Sequence, residues 1–225
     1  MELTIDGMSE KKRVAVVPQE LVIAGWTGRD AAALEAHIVE LEALGVARPK
    51  SVPIYYRVGA SLLTTSPTID VTGRDSSGEA EVVLWRLDGR LFVGIGSDHT
   101  DRQLETLGIT LSKQVCPKPV SPVLWAYDDV APHWDRLVLR SRVPGESGFY
   151  QEGTVGLLRR PDELLARYQA EHGPLPDGSA MFCGTLAVHG GIRFTPGLEL
   201  ELEDPVLGRR LSHRYEVRAL PIAEA

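Results

Sequence analysis

Two apolar runs, Glu79 to Leu87 and Arg90 to Gly96, are separated by nothing but Asp88-Gly89. That dipeptide tolerates the positive φ that a two-residue turn demands, so the runs are predicted to pair as a tight antiparallel hairpin. Period-two apolar runs bounded by Gly, Pro and Asp recur along most of the chain, and 22 glycines with 15 prolines supply its turns. Further strands are predicted over Arg13 to Val17, Leu21 to Ala24, Val52 to Arg57, Arg136 to Val143, Ser179 to Cys183, Leu198 to Glu203 and Leu211 to Leu220. Helical spacing is confined to Asp30 to Leu44, where Leu34, Ile38 and Leu41 share a stripe and Gly45 is the stop, and to Pro161 to Ala170. No repeat, low-complexity tract or linker divides the 225 residues, so one β-rich unit is expected.

Composition removes several function classes. With 43% hydrophobic and 24% charged residues the chain can bury a core, which rules out wholesale disorder. No stretch approaches the roughly 18 uninterrupted apolar residues of a membrane-spanning helix. Met1 to Arg13 has no apolar region of a secretory signal, so a soluble, cytoplasmic protein without a membrane partner is expected. Cys116 and Cys183 form no CxxC pair and are predicted to be buried thiols rather than a disulfide or a zinc site. A net charge of −7 disfavours nucleic-acid backbones. It does not exclude a small anionic substrate, provided a local cation or metal neutralises it. The commonest phosphate-loop, dinucleotide and serine-hydrolase motifs are absent, as are the spacings of a histidine-built zinc site.

Three acidic residues can converge at the open end of the hairpin. Glu79 and Glu81 are two apart on a strand and so share a face, roughly 7 Å apart at the backbone. The return strand runs into Gly94-Ile95-Gly96-Ser97-Asp98 and can deliver Asp98 beside them. Three such carboxylates suit Mg²⁺, Mn²⁺ or Ca²⁺, with positions left for water and substrate, or else form the wet edge of a strand. His37 and Glu40 are three apart on the first helix, as in a general-base dyad near neutral pH or a helix with a boundary histidine. Glu199, Glu201 and Glu203 alternate with Leu198, Leu200 and Leu202, the pattern of a strand with one solvated face.

In chain order these pieces resemble the fumarylacetoacetate hydrolase superfamily along nearly the whole chain, and more narrowly a bacterial DUF2848-like family of unknown function. The superfamily's Asn-Tyr-x-x-His-x-x-Glu run, followed by Pro-Lys and an apolar strand, is similar to Ala36-His37-Ile38-Val39-Glu40, Pro49-Lys50 and Val52-Pro53-Ile54-Tyr55-Tyr56. Its Tyr-Glu-x-Glu-Leu strand is similar to Gly78-Glu79-Ala80-Glu81-Val82, and its Asn-Asp-x-x-x-Arg motif to Ser97-Asp98-His99-Thr100-Asp101-Arg102. Lys113 corresponds to a later family lysine. The late Gly-Thr-Pro turn resembles Gly184-Thr185-Leu186, and a substrate-contact loop resembles Tyr150-Gln151-Glu152-Gly153-Thr154. The chain departs from the pattern in closing the metal-strand gap with a direct hairpin, in Leu186 for proline, and in lacking Asn-Tyr before His37.

The resemblance implies an α+β, β-rich fold: a mixed β-sandwich or roll like the superfamily's C-terminal domain, with few helices, spanning residues 1–225 as one domain and forming a homodimer. It implies Glu79, Glu81 and Asp98 as ligands of Mg²⁺ or Mn²⁺, and Lys113 beside a developing oxyanion. Gly184 and Thr185 would hold a substrate carboxylate and Gln151 would touch substrate, while His37, oriented by Glu40, would activate water or move a proton. Arg102 would either neutralise a second acidic group or brace the Asp98 loop. The implied reaction is C–C hydrolysis, decarboxylation or tautomerisation of a small 2-oxo acid or 1,3-dicarbonyl compound through a metal-stabilised enolate. The alternatives are a non-catalytic small-molecule or metal-binding protein on the same fold, or a structural protein using the fold alone.

Overall fold

The computed structural model describes residues 1–8, 10–43 and 48–223, with the side chains at positions 37, 40, 41 and 43 outside that description. The first strands are β1 (Glu2–Asp6), β2 (Lys11–Ala15), β3 (Leu21–Gly25), β4 (Ile54–Val58), β5 (Leu63–Thr64), β6 (Thr68–Thr72) and β7 (Ser76–Ser77). The central and later ones are β8 (Ala80–Leu87), β9 (Arg90–Ser97), β10 (Thr100–Asp101), β11 (Lys118–Pro119), β12 (Val123–Ala126), β13 (Val138–Arg142), β14 (Gln151–Thr154), β15 (Ser179–Thr185), β16 (Gly197–Asp204) and β17 (Arg209–Leu220). The α-helices are α1 (Ala31–Ala43), α2 (Arg102–Glu105), α3 (Ile109–Gln114), α4 (Tyr127–Val130) and α5 (Pro161–His172).

The predicted hairpin is β8–β9, with Leu87 opposite Arg90 and positive φ at both Asp88 (49°) and Gly89 (74°), the turn whose twist matches that of its strands. A Cβ at Gly89 would meet nothing within 4 Å, so Gly89→Ala tests the backbone alone. It is expected to cost about 1 kcal/mol in urea unfolding; an unchanged midpoint would contradict the turn assignment.

The hairpin sits in the middle of an eight-stranded mixed sheet of order β2-β1-β12-β9-β8-β15-β3-β4, and a five-stranded sheet, β14-β13-β16-β17-β6, packs across it. Val82 and Leu84 face that second sheet, among Leu139, Leu200 and Leu202. Val83 and Trp85 face the other way, among Ile23, Phe92 and Phe182. A strand covered on both sides needs an unbroken apolar run, which Val82-Val83-Leu84-Trp85 supplies. In β16 the same alternation is one-sided: its leucines are buried, and Glu199, Glu201 and Glu203 turn outward to Arg214, Arg210 and Arg140.

Helix α1 begins where Asp30 Oδ1 accepts from the N–H groups of Ala32 (2.9 Å) and Ala33 (3.1 Å). Its expected end, Leu44 and Gly45, lies outside the described residues. Helix α5 starts at Pro161 as predicted and runs on to His172. Both cysteines are buried thiols. The predicted strand at Arg13 to Val17 instead spans Lys11–Ala15, and β1, β6 and β12 add strands that periodicity did not single out. In β1 only Leu3 is fully buried, so its alternation is faint, and its place is set by parallel pairing with the distant β12. No described helix is long and apolar enough to cross a membrane.

Candidate metal centre

Glu79 lies just before β8, Glu81 within it and Asp98 just after β9. Antiparallel register sets Glu81 opposite Gly96, and the Asp98 N–H donates to the Glu79 carbonyl at 2.9 Å. The return strand therefore delivers Asp98 to the two glutamates, and one carboxylate oxygen from each of the three lies within 4.8 Å of the others. Asp98 and Glu81 are buried, at 0% and 2% exposure, and Glu79 is half-buried.

Among the described residues each acid except Glu81 has a cationic ion-pair partner. Arg102 donates from Nη2 to Glu79 Oε1 (2.9 Å), from Nη1 to Glu105 Oε2 (2.9 Å) and from Nε to Ser77 Oγ (2.7 Å). Lys113, at the end of α3, donates to Asp98 Oδ2. Lys118 Nζ lies 3.4 Å from Asp98 Oδ1, and that oxygen has no hydrogen-bond partner among the described residues. Among the described residues Glu81 accepts from the Gly184 N–H alone, at 2.7 Å from Oε2.

The protonation states follow from this distribution. Burial lifts the Glu81 carboxyl well above the usual glutamate range, and the charges of Asp98 and Glu79 push it further. Burial also opposes ionisation of Asp98, but Lys113 and Lys118 outweigh it and hold Asp98 below the usual aspartate range. For Lys113 the burial penalty is outweighed by Asp98 and Glu79, so its pKa rises. His99 is pushed down to about 3, by burial first and then by Lys118 and Arg102, so it is neutral. Its ring nitrogens meet Ser76 Oγ (2.9 Å) and Tyr215 Oη (3.0 Å), and Tyr215 Oη meets Ser97 Oγ (2.9 Å). The Ser97 hydroxyl in turn accepts from the Glu79 N–H at 3.2 Å, so this neutral chain braces both ends of the acidic cluster.

The groups expected to meet substrate have protein partners. Gly184 stands at φ 95° in the irregular register between Phe182 and Thr185, and a Cβ there would fall 1.8 Å from Thr27 Oγ1. Only glycine lets the backbone come this close and aim its N–H at Glu81. Thr185 Oγ1 donates to the Ala80 carbonyl at 2.8 Å. Gln151 is fully buried: its Oε1 accepts from the Ala80 N–H (2.9 Å) and Ser141 Oγ (2.9 Å), and its Nε2 donates to Thr185 Oγ1 (2.6 Å) and the Leu186 carbonyl (2.7 Å). Gln151, Gly184 and Thr185 thus grip the strand around Ala80 and Glu81. His37 and Glu40 both lie on α1, and their side chains are outside the described residues.

The cluster fits a hard divalent cation. Its donors are carboxylate oxygens alone, and one acid, Glu81, has no ion-pair cation among the described residues. Two cavities, of about 570 and 400 Å³, open elsewhere. The first is lined by Leu87, Asp88 and Phe92 at the hairpin's turn, and the second by Arg140, Glu201 and Arg214 on the outer face of the five-stranded sheet. Sequence reasoning missed Lys118 and the His99–Tyr215 chain. A lysine set in the compact apolar run Cys116-Pro117-Lys118-Pro119-Val120 was the available signal for the first.

The family model described as "Protein of unknown function (DUF2848)" matches residues 24–215. No curated protein matches the sequence. Among solved structures, a candidate fumarylpyruvate hydrolase from Burkholderia cenocepacia is 18% identical with a TM-score of 0.66, covering 98% of this chain and 96% of its own. A yeast fumarylacetoacetate hydrolase family protein is 16% identical with a TM-score of 0.62, covering 91% and 95%. A 2-keto-3-deoxy-D-arabinonate dehydratase complexed with magnesium and 2,5-dioxopentanoate is 17% identical with a TM-score of 0.64, covering 91% and 74%. At these identities the likeness is one of fold.

Proposed function

The chain belongs to the DUF2848 family and has the fumarylacetoacetate hydrolase fold, and from that premise we propose that it is a divalent-metal-dependent hydrolase or lyase of a small 2-oxo acid or 1,3-dicarbonyl compound. The observation that carries this reading is the convergence of three carboxylates, two of them buried, one of which, Glu81, has no ion-pair cation among the described residues. A protein of similar fold, complexed with magnesium and 2,5-dioxopentanoate, supports it.

Glu79, Glu81 and Asp98 would hold Mg²⁺ or Mn²⁺. When bound, the ion supplies Lewis acidity to adjacent carboxylate and carbonyl oxygens of a substrate. The remaining steps fall to the chain's own residues. Lys113, buried and kept cationic, lies on the Asp98 side and would stabilise negative charge growing on the substrate oxygen. His37, three residues before Glu40 on α1, would take a proton from water or from the substrate carbon and return it to the departing carbon. Arg102 and Gln151 hold the ligand strand and its loop in place. A cytoplasmic location and a homodimer remain part of the proposal.

The test is a turnover screen of acylpyruvates, oxaloacetate and related oxo acids with Mg²⁺ or Mn²⁺, with and without chelator. Metal-dependent turnover is expected, and His37→Ala should reduce it by roughly 10²–10⁴-fold while Mn²⁺ still binds. Silence with every compound, Mn²⁺ binding intact, would favour a non-catalytic binding protein. Identical heats of Mn²⁺ titration before and after Glu81→Ala would leave only a structural role.

A further inference from the structure

Lys118 is a lysine with no exposed surface, in β11, between two prolines. Its Nζ donates to three main-chain carbonyls: those of His99 (2.5 Å), Lys113 (2.6 Å) and Cys116 (3.0 Å). Three acceptors take all three hydrogens of an ammonium, whereas a neutral amine has only two to give. The fourth neighbour, Asp98 Oδ1 at 3.4 Å, therefore feels the charge without receiving a hydrogen bond.

The three carbonyls belong to two segments. His99 follows the ligand Asp98 directly. Lys113 and Cys116 bracket the C-terminal end of α3, the element that carries the Lys113 side chain to Asp98 Oδ2. One ammonium thus ties the main chain of the acid to the main chain of the lysine that partners it. Its Nζ also lies 3.4 Å from Asp98 Oδ1, an ion pair that opposes the downward pull of burial on the lysine and helps to keep Asp98 ionised.

We propose that Lys118 is a resident cation that poses Asp98 and Lys113 against each other, a positioning residue of the centre that touches neither metal nor substrate. The proposal rests on the reading of Asp98 as a metal ligand and deepens it. If Lys118 acted through charge alone, removing it would leave the acidic cluster more negative and Mn²⁺ would bind more tightly. If it acts by position, Mn²⁺ binds less tightly although a repelling charge has gone.

The experiment compares Mn²⁺ binding by calorimetry and thermal unfolding in the parent protein, Lys118→Met and Lys118→Ala. Lys118→Met is expected to weaken Mn²⁺ binding by about tenfold or more, as loss of an outer-sphere positioning group does. Lys118→Ala removes a fragment equivalent to n-propylammonium. Adding that ion, or ammonium, is expected to raise its melting temperature and restore most of its Mn²⁺ affinity, whereas tetramethylammonium, which has no N–H donor, should do neither. Mn²⁺ binding by Lys118→Met equal to or tighter than the parent's would overturn the proposal. So would a Lys118→Ala protein that behaves alike in propylammonium and tetramethylammonium, including one unfolded in both. Failure of the parent itself to bind Mn²⁺ would instead defeat the metal centre, while the melting response of Lys118→Ala would still decide the carbonyl cage.

Discussion

Glu81→Gln is expected to weaken Mn²⁺ binding by roughly 100-fold or more, since losing a ligand costs more than losing its outer support, and yet to leave the metal-free fold at least as stable as the parent. Burial and the charges of Asp98 and Glu79 hold the Glu81 pKa well above its unfolded value. Below about pH 4.3, the ordinary glutamate value, the carboxyl is protonated folded or unfolded and takes nothing from stability. As pH rises above that, the unfolded chain releases the proton and the folded chain keeps it, so Glu81 disfavours the metal-free fold increasingly until its folded pKa is reached. A glutamine carries no such proton, can still accept the Gly184 N–H, and can donate its amide hydrogens toward the Asp98 and Glu79 oxygens within 4.8 Å. The melting temperature of metal-free Glu81→Gln should therefore match the parent's near pH 4 and equal or exceed it near pH 8. Mg²⁺ should raise the parent's melting temperature and leave the variant's unmoved. By the same linkage, cation binding displaces the Glu81 proton. Apparent Mn²⁺ affinity should climb with pH by up to about tenfold per unit below the folded pKa, with proton release visible as a dependence of the calorimetric heat on buffer. Affinity independent of pH between 5 and 8, with no proton released, would mean that Glu81 is ionised beforehand and is not the acid without a counter-charge.

How much of this centre could be read from the chain depends on how local its geometry is. The hairpin, the shared face of Glu79 and Glu81 and the arrival of Asp98 follow from strand periodicity and a two-residue turn, so a stretch of twenty residues determines them. The counter-charges do not follow in that way. Arg102 reaches Glu79 because β10 pairs with β7 and α2 starts beside it, and Lys118 is buried because carbonyls from three separate positions converge on it. Gln151 looks from sequence like a loop residue awaiting a ligand. Only the packing of the second sheet against β8 shows its amide to be engaged at both ends. The second sheet itself was half legible: β16 and β17 have clear alternation, whereas β6 acquires its partner from a strand more than a hundred residues away.

The opposite stability outcome is expected for the same acid-to-amide change one strand over. Asp98→Asn keeps the shape of the side chain but removes the carboxylate that pairs with both Lys113 and Lys118, both of them buried. Breaking a buried pair by deleting one member leaves uncompensated charge and costs about 3–5 kcal/mol, which for a chain of this size lowers the melting temperature by roughly 6–20 °C. The pH window also differs from that of Glu81. The folded pKa of Asp98 is depressed, because Lys113 and Lys118 outweigh its burial, so its contribution is complete above the ordinary aspartate value and disappears as pH falls through the folded value. The gap between parent and Asp98→Asn should be flat from about pH 5 to 8 and should narrow only below about pH 4, near the unperturbed aspartate pKa. Mn²⁺ binding should be strongly weakened in both variants, so the metal titration alone does not tell them apart. What separates them is the metal-free melting curve, where one amide is tolerated and the other is not. Equal melting temperatures for Glu81→Gln and Asp98→Asn at pH 7 would mean that the two carboxylates carry the same charge in the folded protein, and the division into one proton-bearing acid and one lysine-bound anion would have to be abandoned.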